Sequence, residues 1–139
     1  MGRFDLLDSR KDEALLVGRV LMMVLFILFG WGKITAYEGT VAYMASAGTP
    51  VPQVSAAIAA IMEVPVALAI VLGFWTRPLA LLMALYTLGT ALIGHRYWTM
   101  EDPAAHFANE INFYKNVSIM GGLLMLCVSG PGKYSFDKK

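Results

Sequence analysis

Glu63 is the residue of this chain best placed to do chemistry. It is the one ionisable side chain in the otherwise apolar or small-residue stretch from Val54 to Trp75. At about 1.5 Å per residue that stretch makes a helix roughly 33 Å long, enough to cross a hydrocarbon core of about 30 Å. The carboxylate then lies near the bilayer midplane, where a charge costs on the order of 3 kcal/mol, so it must face a bundle interior and find a partner. Two residues on, Pro65 has no amide hydrogen for the carbonyl of Ile61. The helix is therefore expected to kink beside the carboxylate and free a polar backbone group there. Proton exchange or the holding of a small polar head is the chemistry such a place supports.

The partners must come from other apolar runs. Lys33 closes the first, His95 and Arg96 close the third, and Asn112, Lys115 and Asn116 open the fourth. In an up-and-down bundle these six share one level, at the end of the molecule from which Glu63 is roughly 14 Å deep. A long side chain reaching down from that level can neutralise Glu63, with Lys115 the first expectation and Lys33 the second. Glu63 and His95 are the proton-exchanging pair in this reading, and Lys33, Asn112, Lys115 and Asn116 the hydrogen-bonding groups. The opposing interpretation is a helix lock, since buried ion pairs also serve structure alone.

The elements that position these residues follow from composition. The chain has 139 residues, 58% of them hydrophobic, and a net charge of +1. That is an integral membrane protein, all-α, forming one domain over 1–139 as a four-helix bundle. A charge so near zero, with basic residues scattered singly, excludes a nucleic-acid surface. A single Cys, Cys127, excludes an internal disulfide and paired-cysteine redox or zinc motifs. With two histidines there are too few ligands for a multi-haem or di-metal core, and no metal site is assigned. No phosphate loop, nucleophilic triad or dinucleotide fingerprint is present, so no catalytic residue is named and enzymatic activity is left open.

The spans are expected at about 14–34, 54–75, 78–97 and 111–130. A mixed-charge leader, Met1 to Glu13, precedes the first. Val41, Met44 and Ala45 suggest a short interfacial helix between the first two, ended by Gly48, Pro50 and Pro52. Trp98 to Glu110 reads as a polar loop, with His106 a solvated residue of it. Gly130, Pro131 and Gly132 stop the last helix and leave a basic tail of Lys133, Lys138 and Lys139. Four spans put both termini on one side. That side carries Arg3, Arg10, Lys11, Arg19, Arg77, Lys133, Lys138 and Lys139, against Lys33, Arg96 and Lys115 opposite, so both termini are expected to be cytoplasmic. Arg19 and Arg77 read as anchors to lipid headgroups and Cys127 as a small packing residue.

Four pieces of sequence carry a family resemblance: GRVLMMVLFILFGWGKI around Arg19 and Lys33; Glu63 followed by LGFWTRP at 72 to 78; GHRYWTMEDPA from Gly94; and NFYKNVSIMGGLLML, ending in GPGKYSFD. With these the chain resembles the DoxX family of small four-helix bacterial membrane proteins over nearly its whole length. The resemblance implies a bacterial inner-membrane location and a link to redox chemistry, family members being tied to terminal quinol oxidases, thiosulfate oxidation and responses to oxidative or quinone stress. The expectation that results is an accessory or quinone-binding membrane subunit, with quinone the one cofactor suggested. Its partners would be membrane lipids and an oxidoreductase or further copies of itself. Two other readings remain open: a small proton-coupled exporter using Glu63, and a structural docking partner of an oxidoreductase.

Overall fold

A computed structural model of the protein describes residues 6–137. Arg3 and Asp5 of the leader and Lys138 and Lys139 of the tail lie outside the described residues. After a 3-10 turn at Asp8–Arg10 come α1 (Lys11–Thr35), α2 (Tyr37–Ser46) and α3 (Pro52–Ile61). α3 runs through a π-turn, Met62–Val66, into α4 (Ala67–Leu72). α5 (Thr76–Gly94), a 3-10 turn (Tyr97–Thr99) and α6 (Pro103–Ser129) complete the chain. Among the described residues there is no strand. Four helical segments, Asp8–Thr35, Pro52–Leu72, Thr76–Thr99 and Pro103–Ser129, are long and apolar enough to cross a membrane.

α1 is organised by one stripe. Arg19, Met23, Phe26 and Gly30 are its buried residues, and their alternating four- and three-residue spacing puts them on a single face. Val17, Leu21, Val24, Leu28 and Phe29 point out, as helices in lipid allow. α5 buries Ala80, Met83, Ala84, Thr87 and Ala91, and α3 buries Ala56 and Ala59. These small residues let backbones approach closely, which is how helices associate where lipid tails offer no hydrophobic contrast. Met23, Phe26, Met62, Ile70, Met83 and Leu123 fill the core between them. α5 and α6 pack along their lengths, α1 packs on the α3–α4 helix, and α2 lies against α3, where the Tyr37 hydroxyl donates to the carbonyl of Gln53 at 2.6 Å.

Two boundaries differ from the sequence expectation. The fourth helix starts at Pro103, not near Ile111, because Asp102 caps it, its carboxylate accepting from the amide of Ala105 at 2.9 Å, while Pro103 takes the first position. The stretch from Pro103 to Glu110 is therefore helix, not loop, and His106 pairs with Glu110 one turn on at 3.6 Å. The second span ends at Leu72 rather than Trp75, since Gly73 (φ 71°) and Trp75 (φ 48°) turn the chain through left-handed conformations. At Pro65 the helix does not simply break: the amide of Ala67 donates to the carbonyl of Met62, five residues back, in a π-turn that carries Glu63.

Candidate ligand site around Glu63

Glu63 is held from two helices, α1 and α5. On α1, Gly30 stands so close that a Cβ there would lie 2.6 Å from the Cβ of Glu63. Lys33, three residues on along the same face, reaches back toward its own helix start, the direction a helical side chain takes, and its Nζ donates to Glu63 Oε1 at 2.8 Å. From α5, the Tyr86 hydroxyl donates to Glu63 Oε2 at 2.6 Å. Both carboxylate oxygens thus have a partner while the side chain is only 8% exposed, against 27% for Lys33. An ion pair backed by a further hydrogen bond is what a carboxylate needs at this depth.

Lys33, the second expectation, is thus the cation on Glu63, and the first expectation is corrected. Lys115 instead donates to Asn112 Oδ1 at 3.3 Å, three residues back on its own helix. Asn116, buried, donates to Thr90 Oγ1 of α5 at 3.0 Å. His95 Nδ1 stands 3.1 Å from Asn109 Oδ1, so it is joined to the start of α6 and not to Glu63. Arg96 donates to the carbonyl of Ala47 at 3.3 Å. Of the six residues singled out from the sequence, Lys33 and Glu63 touch each other, and the other four form pairs around α6.

Tyr86 was missed by sequence reasoning. It sits in the apolar run of α5, where a tyrosine reads as one more aromatic, although a phenol buried in lipid needs a partner. Besides Glu63 it borders a slot of about 230 Å³ between α3 and α5, lined also by Met44, Ser55, Ile58, Gly89 and Thr90. Among the described residues no three His, Cys, Asp or Glu side chains are grouped so as to hold a metal ion.

Residues 14–96 match the DoxX family model. They include Lys33, Glu63 and Tyr86 with the helices that carry them. The chain belongs to the DoxX family. It is 54% identical to the inner membrane protein YphA of Escherichia coli, over 94% of this chain and 93% of that one. To the inner membrane protein YqjF of the same organism it is 43% identical, over 92% of each. No solved structure matches it significantly.

A second cluster joins the motifs of this DoxX chain at the end where the start of α1 meets the segment 130–137. Arg19 is 1% exposed and donates to the carbonyl of Tyr134, so it is no lipid anchor: the buried stripe of α1 turns it inward. Asp137 accepts from the amides of Trp75 at 2.7 Å and Thr76 at 2.9 Å, capping α5. Burial by itself would raise its pKa, but these N–H donors and the Arg19 charge more than offset that and hold the carboxyl below its ordinary range. The segment 130–137 is thus tied down and is not a loose tail. Asp137 and Phe136 donate their amides to Gly73 and Leu72, and Lys133 donates its own to Asp12 on α1 at 2.8 Å. Arg77, also expected at headgroups, donates to the carbonyls of Cys127, Val128 and Ser129 and so closes the C-terminus of α6.

Proposed function

We propose that this DoxX protein resides in the inner membrane, with both termini cytoplasmic, and binds a quinone or another small polar-headed lipid at Tyr86, Glu63 and Lys33. The observation that carries this reading is the double position of Tyr86. Its hydroxyl donates to the Glu63 carboxylate while its side chain borders the slot between α3 and α5. A mostly apolar slot with a few hydroxyl groups is the form small-molecule sites take, and the residue behind one of them, Tyr86, is an intramembrane carboxylate.

The chemistry follows from hydrogen-bond capacity. Tyr86 uses its proton on Glu63, leaving its oxygen free to accept from a head-group hydroxyl in the slot. A proton accepted there can be matched by the phenol proton passing to Glu63 Oε2, which neutralises the carboxylate and weakens its hold on Lys33. Thr90, fixed by Asn116, forms the neighbouring wall. The apolar side chains of Met44, Ile58 and Ile93 suit an isoprenoid or acyl tail. His95, bonded to Asn109, stands outside this relay. Redox association with an oxidoreductase rests on the family link alone.

Titration of a short-chain quinone into purified protein in nanodiscs tests the reading. Saturable binding that weakens at least tenfold in Tyr86→Phe, with folding intact, is the expected result. Equal binding by parent and variant, or no saturable binding, overturns it and leaves the Lys33–Glu63 pair as a helix lock.

A further inference from the structure

α6 has two faces. The residues it buries, Asn116, Leu123 and Leu126, turn toward its own bundle. Take Ile111 as position a of a heptad: Asn116 and Leu123 then fall at f and Leu126 at b. The opposite seam of a and d positions is Phe107, Ile111, Tyr114, Ser118, Gly121, Met125 and Val128. Every one of these is exposed, from 52% at Ile111 to 78% at Val128 among the large apolar ones. Exposed apolar residues on a membrane helix are ordinary, because they face lipid. Rows of the same spacing also face lipid on α1 (Val17, Leu21, Val24, Leu28) and α5 (Leu81, Leu85, Leu88, Leu92). What the α6 seam adds is Ser118 and Gly121 at its centre, where nothing lies within 4 Å of the Cβ position of Gly121, and a charged residue on either flank. Small residues at such places let a second helix come close.

The charges flanking the seam say what that second helix is. Glu110 is at position g and Lys115 at the following e, five residues on. They border the same open groove of about 510 Å³ along α6, together with Phe107, Ile111, Tyr114 and Ser118. Among the described residues Glu110 pairs with His106 on its own helix, and Lys115, hydrogen-bonded to Asn112, makes no ion pair with a carboxylate. In a parallel coiled coil, g of one helix lies beside the following e of the other, the place where interhelical ion pairs form. A second copy of α6 in parallel supplies Lys115 to Glu110 and Glu110 to Lys115, twice over and by symmetry.

We propose that a second copy of this chain packs on the exposed seam of α6 as a parallel dimer, Glu110 of each copy pairing with Lys115 of the other. Two-fold symmetry about the membrane normal keeps both copies in one orientation, as a single mode of insertion requires. The proposal is independent of any ligand at Glu63.

Cross-linking in native membranes tests it. In a chain whose Cys127 is replaced by Ser, Ser118→Cys puts a thiol at an a position, and mild oxidation is expected to give a disulfide dimer. Leu85→Cys, on a lipid-facing position of α5, is expected to give none. The charges are then tested with two differently tagged Ser118→Cys chains, one carrying Glu110→Lys and the other Lys115→Glu. Each alone sets like charges opposite, whereas mixed dimers restore both ion pairs, so mixed dimers are expected to exceed either self-dimer several-fold. Formation of the mixed dimer itself shows that both variants fold. Failure of Ser118→Cys to cross-link, equal cross-linking by Leu85→Cys, a product with a protein of another mass, or self-dimers as abundant as mixed ones each overturns the proposal.

Discussion

Arg19 and Lys33 stand on the same stripe of α1, two heptads apart, and each anchors one end of the bundle. Lys33 holds Glu63 of the π-turn at 2.8 Å, and Arg19 holds the carbonyl of Tyr134 in the C-terminal segment. One helix face thereby ties the membrane interior of the protein at one level and its terminal segment at the other. Gly30 lies between them and sets how closely α1 approaches Glu63.

Gly30→Ala should destabilise the fold. The added methyl would sit 2.6 Å from Glu63 Cβ and about as close to its backbone as 3.0 Å, where neither partner can swing away. Overpacking of this kind costs about 1–3 kcal/mol. Gly18 and Gly32 have open space at the Cβ position, so their alanine variants serve as controls and should match the parent. Thermal unfolding in detergent reads the difference.

Glu63 should couple more strongly to Lys33, which touches it, than to Lys115, which does not. Removing one member of a buried pair costs about 3–5 kcal/mol, because the other charge is left uncompensated. Glu63→Gln and Lys33→Met should each lower stability, and their combination should lose less than the sum. Glu63→Gln with Lys115→Met should come closer to additivity than that pair. The reverse pattern would mean that Lys115 is the cation on Glu63.

Tyr86→Phe keeps the ring and deletes the proton given to Glu63. One of the carboxylate oxygens then loses its partner at 2.6 Å, a loss of about 1.5–3 kcal/mol for a hydrogen bond to a charged group. The expected outcome is a moderate fall in thermal midpoint with four spans still inserted. Unchanged stability would show that the phenol does not bond the carboxylate.

Asp137 should make the terminal segment acid-sensitive. Its folded-state pKa lies below the ordinary value, so its stabilisation is present above the normal carboxylate range and is lost as pH falls through the folded value. Limited proteolysis from the C-terminus should accelerate on acidification below about pH 4. Asp137→Asn should already be cleaved faster at neutral pH and show a flatter profile. Equal cleavage of parent and variant across that range would count against the cap on α5.

Reporter fusions should place residue 139 in the cytoplasm and the turn near Asp102 on the opposite side, as the start of α1 and the segment 130–137 meet at one end of the bundle and the sequence's basic bias favours that side. Fusions that report the same side for both positions would reject this topology.

Much was legible in one dimension. The apolar runs announce four membrane helices, a carboxylate in the middle of one announces a buried partner, and Pro65 announces an interruption beside it, because lipid forbids unpaired charge and unpaired backbone wherever they occur. The stripe Arg19, Met23, Phe26, Gly30, Lys33 was also there to be read, and it argues that Arg19 faces inward. Asp102 followed by Pro103 likewise marks the start of α6, hidden by the polarity of the turn that follows.

Tertiary structure alone decided which cation meets Glu63. Lys33 and Lys115 both have the reach, and the choice depends on the rotation of each helix about its axis and on the close approach that Gly30 permits. Tyr86 became part of the site for the same reason, since a phenol in an apolar run carries no spacing pattern of its own. The C-terminal segment is the extreme case. Asp137 finds the start of α5 and Lys133 finds Asp12 only after the helices have assembled, and no local sequence rule encodes bonds between residues so far apart in the chain.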